Sequence, residues 1–335
     1  MGSDNGSKPK VVSLFSGIGG FDLGFDKAGF ELAFQCENDE FCLSVLRKHW
    51  PGVKRAKDIR SLHGSDIPEA DAWAAGFPCQ DVSVARMGPR AGIRGSQSSL
   101  FFEFARLVGE KRPRVFLLEN VHGLLSSHGG RDFAVVLQTL AELGYGLGWR
   151  VLNSRYFGVP QSRKRVYIVG CDSDPEGPAR ILLDSKRRSR HAPARRQDGS
   201  PSLSPFKAVV NHLGRQGPVT PSIAYCLYAE SARHTGTDWS RNYVSYPESG
   251  EVRRLTPDES EGVMAFPKGW TYVNGNGPKC EDPDSPRYHA LGNAVTPPVA
   301  EWFAVRIRQY LEVPKMEKKS RLDAWAVEAD PLTTS

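Results

Sequence analysis

The run Val11-Val12-Ser13-Leu14-Phe15, followed at once by Ser16-Gly17-Ile18-Gly19-Gly20, restricts the fold more than any other stretch. A short apolar run, a glycine turn and then Phe21, Leu23, Gly24, Phe25 and Ala28 at helical spacing predict strand, turn and helix, with Gly29 placed to end the helix. A second apolar run, Leu32 to Cys36, ends at Glu37, about 20 residues beyond the glycines, where an acidic side chain can accept from two ribose hydroxyls. The pair implies an α/β fold with an adenosine-bearing cofactor at the strand ends. The dinucleotide fingerprint GxGxxG fails because Asp22 occupies the third glycine position. A carboxylate there suits a phosphate-free cofactor with an amino-acid moiety, and S-adenosylmethionine fits that description. Glycines that only allow tight helix–strand packing remain the alternative.

A second constraint is Gly76-Phe77-Pro78-Cys79-Gln80. Ala70 to Phe77 reads as a buried strand that Pro78 ends, which places Cys79 at a carboxyl edge where open α/β sheets hold ligands. A lone cysteine is more often a small buried hydrophobe; here its neighbours favour a nucleophile, whose thiolate needs a lowered pKa. Residues 80–99, rich in Gly, Ser and Arg, predict a loop. Leu100 to Val108 predicts a helix, and Val115 to Leu118 a strand that delivers Glu119 on the same edge. Phe133 to Leu143 is an amphipathic helix ended by Gly144, and Arg150 to Asn153 a strand. In Gln161-Ser162-Arg163-Lys164-Arg165 the two arginines alternate, so in an extended chain they share a face before the apolar run Val166 to Gly170.

With 335 residues and 39% hydrophobic composition the chain can bury a large domain and a smaller one. No apolar run reaches the length of about 18 residues that a membrane helix needs, and the start lacks a signal-peptide core, so the cytoplasm is expected. The six cysteines show no metal-ligand or disulfide spacing. A net charge of +6 leans weakly toward a polyanionic partner. After Gly170 the chain turns polar as far as about residue 220, with a basic run from Lys186 to Arg196 that could track phosphates or be a solvated linker. Tyr225, Tyr228, Arg233, His234, Trp239, Arg241, Asn242 and Tyr243 suit the reading of base edges, and equally an ordinary small β domain. Ala300 to Leu311 predicts a final helix.

The motifs LFSGIGGF, ENDE, GFPCQDVS, SSLFFEF, LLENVHGLL, FGVPQSRKRVYIVG, RRLTPDESEGVMAFP and YHALGNAVTPPV, in this order over 11–172 and 252–311, resemble the DNA cytosine-5 methyltransferases of bacterial restriction-modification systems. The resemblance implies a Rossmann-like S-adenosylmethionine-dependent methyltransferase sheet with a second, smaller target-recognition domain. Its boundaries would be a leader at 1–9, a catalytic domain at 10–172 plus 286–314, a target-recognition domain at 173–285 and a flexible tail at 315–335. It implies a cytoplasmic, nucleoid-associated monomer acting on double-stranded DNA, without metal or membrane.

The resemblance also assigns roles. Cys79 matches the nucleophile that adds to cytosine C6, Glu119 the carboxyl group at N3 and the exocyclic amine, and Arg163 with Arg165 the pair that holds O2 and positions the glutamate. Cofactor contacts fall on Phe15, Ile18 and Gly20, on Glu37 and Asn38, on Asp58 and Ile59, and on Gly76, Pro78, Leu100, Asn293, Ala294 and Val295. Three positions depart from the family pattern. Asn38 stands where an apolar residue is usual, Gln97 where an arginine is common, and GVMAFP lacks the usual arginine and glycine. The target base must leave the duplex stack, and the 80–99 loop would close behind it. Two rivals share the core. A transfer-RNA cytosine methyltransferase would carry a CFT tripeptide, which is absent, and a silent DNA-binding relative would lack one of the four catalytic residues, all of which are present.

Overall fold

The computed structural model describes residues 8–78, 100–183, 206–210, 216–221, 224–227, 242–246, 251–273 and 284–313. Its centre is a seven-stranded sheet in the order β3-β2-β1-β4-β5-β8-β6. The strands are β1 (Lys10–Leu14), β2 (Glu31–Cys36), β3 (Lys54–Ala56), β4 (Ala72–Ala75), β5 (Val115–Val121), β6 (Tyr145–Asn153) and β8 (Lys164–Asp172). The short strand β7 (Gln161–Ser162) precedes β8 and lies outside the sheet. The first five strands run parallel, and β8 inserts antiparallel between β5 and β6. The chain order reverses at β1, which pairs with β2 on one side and β4 on the other. Loops leaving these strands in opposite directions open a crevice at their carboxyl ends.

Each central strand is apolar on both faces, and the period of two sorts its side chains into separate cores. Val12, Leu14, Trp73, Ala75, Phe116 and Leu118 pack on one side with Phe101 and Phe104 of α3 (Leu100–Lys111) and Val136 and Leu140 of α4 (Arg131–Glu142). Val11, Ala72, Ala74, Val115 and Leu117 pack on the other with Phe21 and Phe25 of α1 (Gly20–Lys27) and Phe303 and Ile307 of α8 (Pro297–Glu312). The α1–α8 approach depends on Gly24, where a Cβ would lie 2.5 Å from Ala300 Cβ and 2.6 Å from the Glu301 nitrogen.

Three features differ from the expected organisation. Helix α2 (Glu40–His49) and strand β3 follow the acidic ENDE run, where no regular element was expected; Asp39 caps the helix by accepting from Cys42 N at 2.8 Å. Helix α5 (Gly177–Leu182), beyond the boundary expected at 172, lays Ile181 and Leu182 on the sheet core. Met264, Phe266 and Trp270, after α6 (Pro257–Val263) begins, pack with Ile18, Leu23, Phe41 and Val45. Helix α7 (Ser285–Asn293) adds Ala290 and Leu291 to that cluster.

Within the expected recognition segment, β9 (Phe206–Val210) pairs antiparallel with β10 (Gln216–Pro221), and β12 (Tyr243–Tyr246) with β13 (Glu251–Arg254). Strand β11 (Ala224–Tyr225) pairs with β7. The 80–99 loop, the basic run from Lys186 to Arg196, Tyr228, Arg233, His234, Trp239, Arg241 and the 315–335 tail lie outside the described residues. No helix among the described residues is long and apolar enough to cross a membrane.

Candidate active site

The turn after β1 is built from left-handed backbone: Phe15 has φ 54°, Gly17 55° and Gly19 85°. Such values suit glycine and are rare for phenylalanine, so the backbone at Phe15 is strained. Glu37, at the end of β2, turns its carboxylate into this turn. Its Oε2 accepts from Gly17 N at 2.7 Å, and its Oε1 accepts from Asn38 N and Asp39 N, both at 2.9 Å. Burial raises its pKa, and the three backbone donors oppose that shift. Asp58 is forked by Arg60 Nε and Nη2 at 2.9 Å, and that bonding lowers its pKa.

Phe15, Glu37, Asn38, Asp58, Ile59, Gly76, Pro78, Leu100 and Asn293 line one cleft of about 730 Å³ that also reaches Glu119, Arg163 and Arg165. Four of the residues assigned to the cofactor lie behind its wall. Ile18 is fully buried and its carbonyl accepts from Trp270 Nε1 at 2.8 Å. Gly20 backs onto the Val295 carbonyl, which a Cβ would approach to 2.2 Å. Ala294 and Val295 belong to the cores behind the cleft. Asp22 does not face the cleft either; its buried carboxylate accepts from Ser13 Oγ at 2.8 Å and Gln35 Nε2 at 2.6 Å.

At the other end of the cleft, Glu119 is 8% exposed at the end of β5. Burial raises its pKa against the pull of Arg165 and Arg163. Arg165 Nε lies 3.0 Å from Glu119 Oε1. A Cβ on Gly76 would sit 3.4 Å from Glu119 Oε2, so the carboxyl group borders the strand end that leads through Pro78 to Cys79. Cys79 itself lies outside the described residues. Arg163 faces the same way but meets other groups: its two terminal nitrogens donate to the carbonyls of Leu227, Gly292 and Ala294, and its Nε has no partner.

Asn120 was not singled out in the sequence. Its Nδ2 donates to the Phe77 carbonyl at 2.8 Å and ties the Pro78 segment to β5. The signal was a polar residue directly after Glu119 on an otherwise apolar strand. His289, Lys57 and Arg60 also line the cleft without having been picked out, and only tertiary structure brings them there.

The family model for C-5 cytosine-specific DNA methylase matches residues 9–199. The chain belongs to this family. The match takes in Cys79, Glu119 and both arginines. Among curated relatives, the Type II methyltransferase M.NgoBI of Neisseria gonorrhoeae is 34% identical over 316 residues, covering 87% of this chain and 90% of that protein. M1.ScrFI of Lactococcus lactis subsp. cremoris is 32% identical over 92% of this chain and 80% of its own. The crystal structure of S. pombe Dnmt2 methyltransferase superposes with a TM-score of 0.62 at 19% identity, covering 91% of this chain and 99% of that one, which is a likeness of fold. The chain is thus a DNA (cytosine-5)-methyltransferase with the mixed sheet of that fold.

Proposed function

We propose that the chain transfers a methyl group from S-adenosylmethionine to C5 of a flipped-out cytosine in a specific double-stranded DNA sequence, through a covalent bond between Cys79 and C6. The observation that supports this most is the Glu119–Arg165 pair, 3.0 Å apart and buried beside Gly76, three residues before Cys79. The cleft also fits the cofactor. Two amides of the glycine turn are already engaged, Gly17 N by Glu37 and Gly19 N by the Ser16 carbonyl, so the turn offers a carboxylate rather than a phosphate nest. Glu37 and Asp58 would hold the ribose and adenine, with Phe15, Ile59 and Leu100 against the apolar surfaces. S-adenosylmethionine, when bound, supplies an electrophilic methyl group.

Cytosine C5 is a poor nucleophile until a thiolate adds to C6. As the sulfur–carbon bond forms, the C5=C6 electrons move toward C5 and the N3 side of the ring. A Glu119 carboxyl group whose pKa is raised by burial can share its proton with N3 and offset that charge. Arg165 holds the carboxyl group in place. C5 then takes the methyl group with loss of S-adenosylhomocysteine, a base removes the C5 proton, the N3 proton returns to Glu119 and the thiolate leaves. The base must first be unstacked, at a cost of a few kcal/mol. The choice of site is assigned to the segment 173–285, outside the sheet.

Bisulfite sequencing of methylated plasmid DNA identifies the target cytosine. A duplex with 5-fluorocytosine at that position blocks the final proton removal, so a denaturant-stable adduct should form that requires S-adenosylmethionine and is absent in Cys79→Ala. An active enzyme that gives no adduct, or a Cys79→Ala protein that still methylates, would show that the covalent route is wrong.

A further inference from the structure

Gln161 and Arg163 lie where β7 runs into β8, and both are buried, at 0% and 2% exposure. Their side chains are occupied by distant backbone. Gln161 Oε1 accepts from Leu227 N at 3.2 Å, and its Nε2 donates to the Val263 carbonyl at 3.3 Å and lies 3.0 Å from Met264 Sδ. Arg163 Nη1 donates to the Leu227 carbonyl at 3.0 Å and lies 3.3 Å from Cys226 Sγ. Its Nη2 donates to the carbonyls of Gly292 and Ala294, both at 2.9 Å. The backbone adds to this grip, since Gln161 and Ser162 pair with Ala224 and Tyr225. Asn242, at the start of β12, in turn holds both backbone groups of Tyr225, at 2.7 and 3.0 Å.

Leu227 leads into the stretch 228–262, and Val263 and Met264 end it. One glutamine therefore pins both ends of that stretch. Arg163 ties the same entry point to the two residues that flank Asn293 in the cleft. Four N–H groups on fixed acceptors leave this guanidinium little freedom to turn toward a base, because each broken bond would strand a buried donor or acceptor. Arg165, two residues on, turns its Nε to Glu119 Oε1 at 3.0 Å, its Nη1 donates to the carbonyl of its own neighbour Lys164, and no terminal nitrogen of it is tied to the 292–294 carbonyls.

We infer that Gln161 and Arg163 are positioning residues that fix the DNA-reading stretch and Asn293 relative to the Glu119–Arg165 pair, and that of the two arginines Arg165 alone acts on the reacting base. The inference rests on the function proposed above. Its first test is independent of activity: in hydrogen exchange of the wild-type protein, the amide of Leu227 should be protected like those of β8. Exchange as fast as an unfolded chain would overturn the clamp whatever the enzyme does.

The second test uses unmethylated plasmid DNA. Arg163→Lys keeps the charge but cannot span Leu227 and the 292–294 carbonyls. It should raise the KM for DNA about tenfold and spread methylation to other cytosines, with kcat within about threefold and its pH profile unmoved. Arg165→Lys should instead lower kcat about a hundredfold with KM for DNA little changed. Should Arg163→Lys not fold, Gln161→Asn carries the test: one methylene shorter, it cannot reach Leu227 and Val263 together and should shift KM and site choice in the same way. Either variant lowering kcat as Arg165→Lys does while KM stays put, or leaving both KM and site choice unchanged, would overturn the inference.

Discussion

At the scale of single residues, β5 buries Glu119, the carboxyl group proposed to share a proton with the base. Glu119→Gln keeps the shape and loses the proton, so turnover should fall at least about a hundredfold while DNA affinity in a filter-binding assay stays near wild type. Near-normal turnover would remove Glu119 from the catalytic set. Its raised pKa keeps it protonated to higher pH than an exposed glutamate, so the Glu119-dependent part of kcat should fall as pH rises through that pKa. Asp22 gives a second pH effect, on stability. Burial lifts its pKa to about 6 from 3.8. As pH rises between these values the unfolded chain loses its proton first, the native state binds more protons, and stability falls, by about 3 kcal/mol in all. Asp22→Asn keeps an acceptor for Gln35 and can donate to Ser13 Oγ, so it should remove this loss. Urea unfolding of both proteins at about pH 4 and about pH 7 checks it. A stability difference that does not change with pH would count against the buried carboxylate.

At the scale of elements, helix packing turns on single glycines. Alanine at position 24 would gain about 1 kcal/mol of helix propensity. Its Cβ, however, would fall 2.6 Å from the Glu301 nitrogen, and backbone cannot yield as a flexible side chain does. Overpacking of this kind costs about 1–3 kcal/mol, so Gly24→Ala should be destabilising on balance, read as a lower Tm in calorimetry. An unchanged or higher Tm would mean that α1 and α8 can separate freely. Thr256 and Glu259 form a reciprocal cap at the start of α6, with Glu259 N donating to Thr256 Oγ1 at 3.2 Å and Thr256 N to Glu259 Oε2 at 2.8 Å. Helix α2 was not read: its apolar residues sit between Glu40 and the Arg47–His49 run, and the face formed by Phe41, Cys42 and Val45 is seen only once it packs with Met264, Phe266 and Trp270.

At the scale of the whole molecule, the proposed reaction brings two ligands to one sheet edge, and the topology suits it. β1 and β2 lead to Phe15 and Glu37, β4 leads to Gly76 and Pro78, β5 carries Glu119, and one cleft joins them. The reading of DNA is assigned to the chain outside the sheet, but α5 packs on the sheet core and Ala224–Leu227 are held by the 161–163 segment, so both should be left in place. Exchange of residues 228–250 with the matching segment of a relative should therefore change the methylated site while turnover is kept, as bisulfite sequencing would show. An active chimera that methylates the original site would place specificity elsewhere.

The sequence by itself determined what is local. Apolar runs gave the strands, left-handed turns demanded the glycines, and a carboxylate directly after four buried residues announced Glu119. Period-two alternation also put Arg163 and Arg165 on one face. It could not separate them, because what each meets depends on chain far away: the Leu227 carbonyl is 64 residues from Arg163 and that of Gly292 129. The inward turn of Asp22 was likewise set by Gln35 on the next strand. Periodicity and capping report on neighbours within a few residues, whereas the partner of a buried charge is fixed by which segments the fold packs together, and that only the tertiary structure decided.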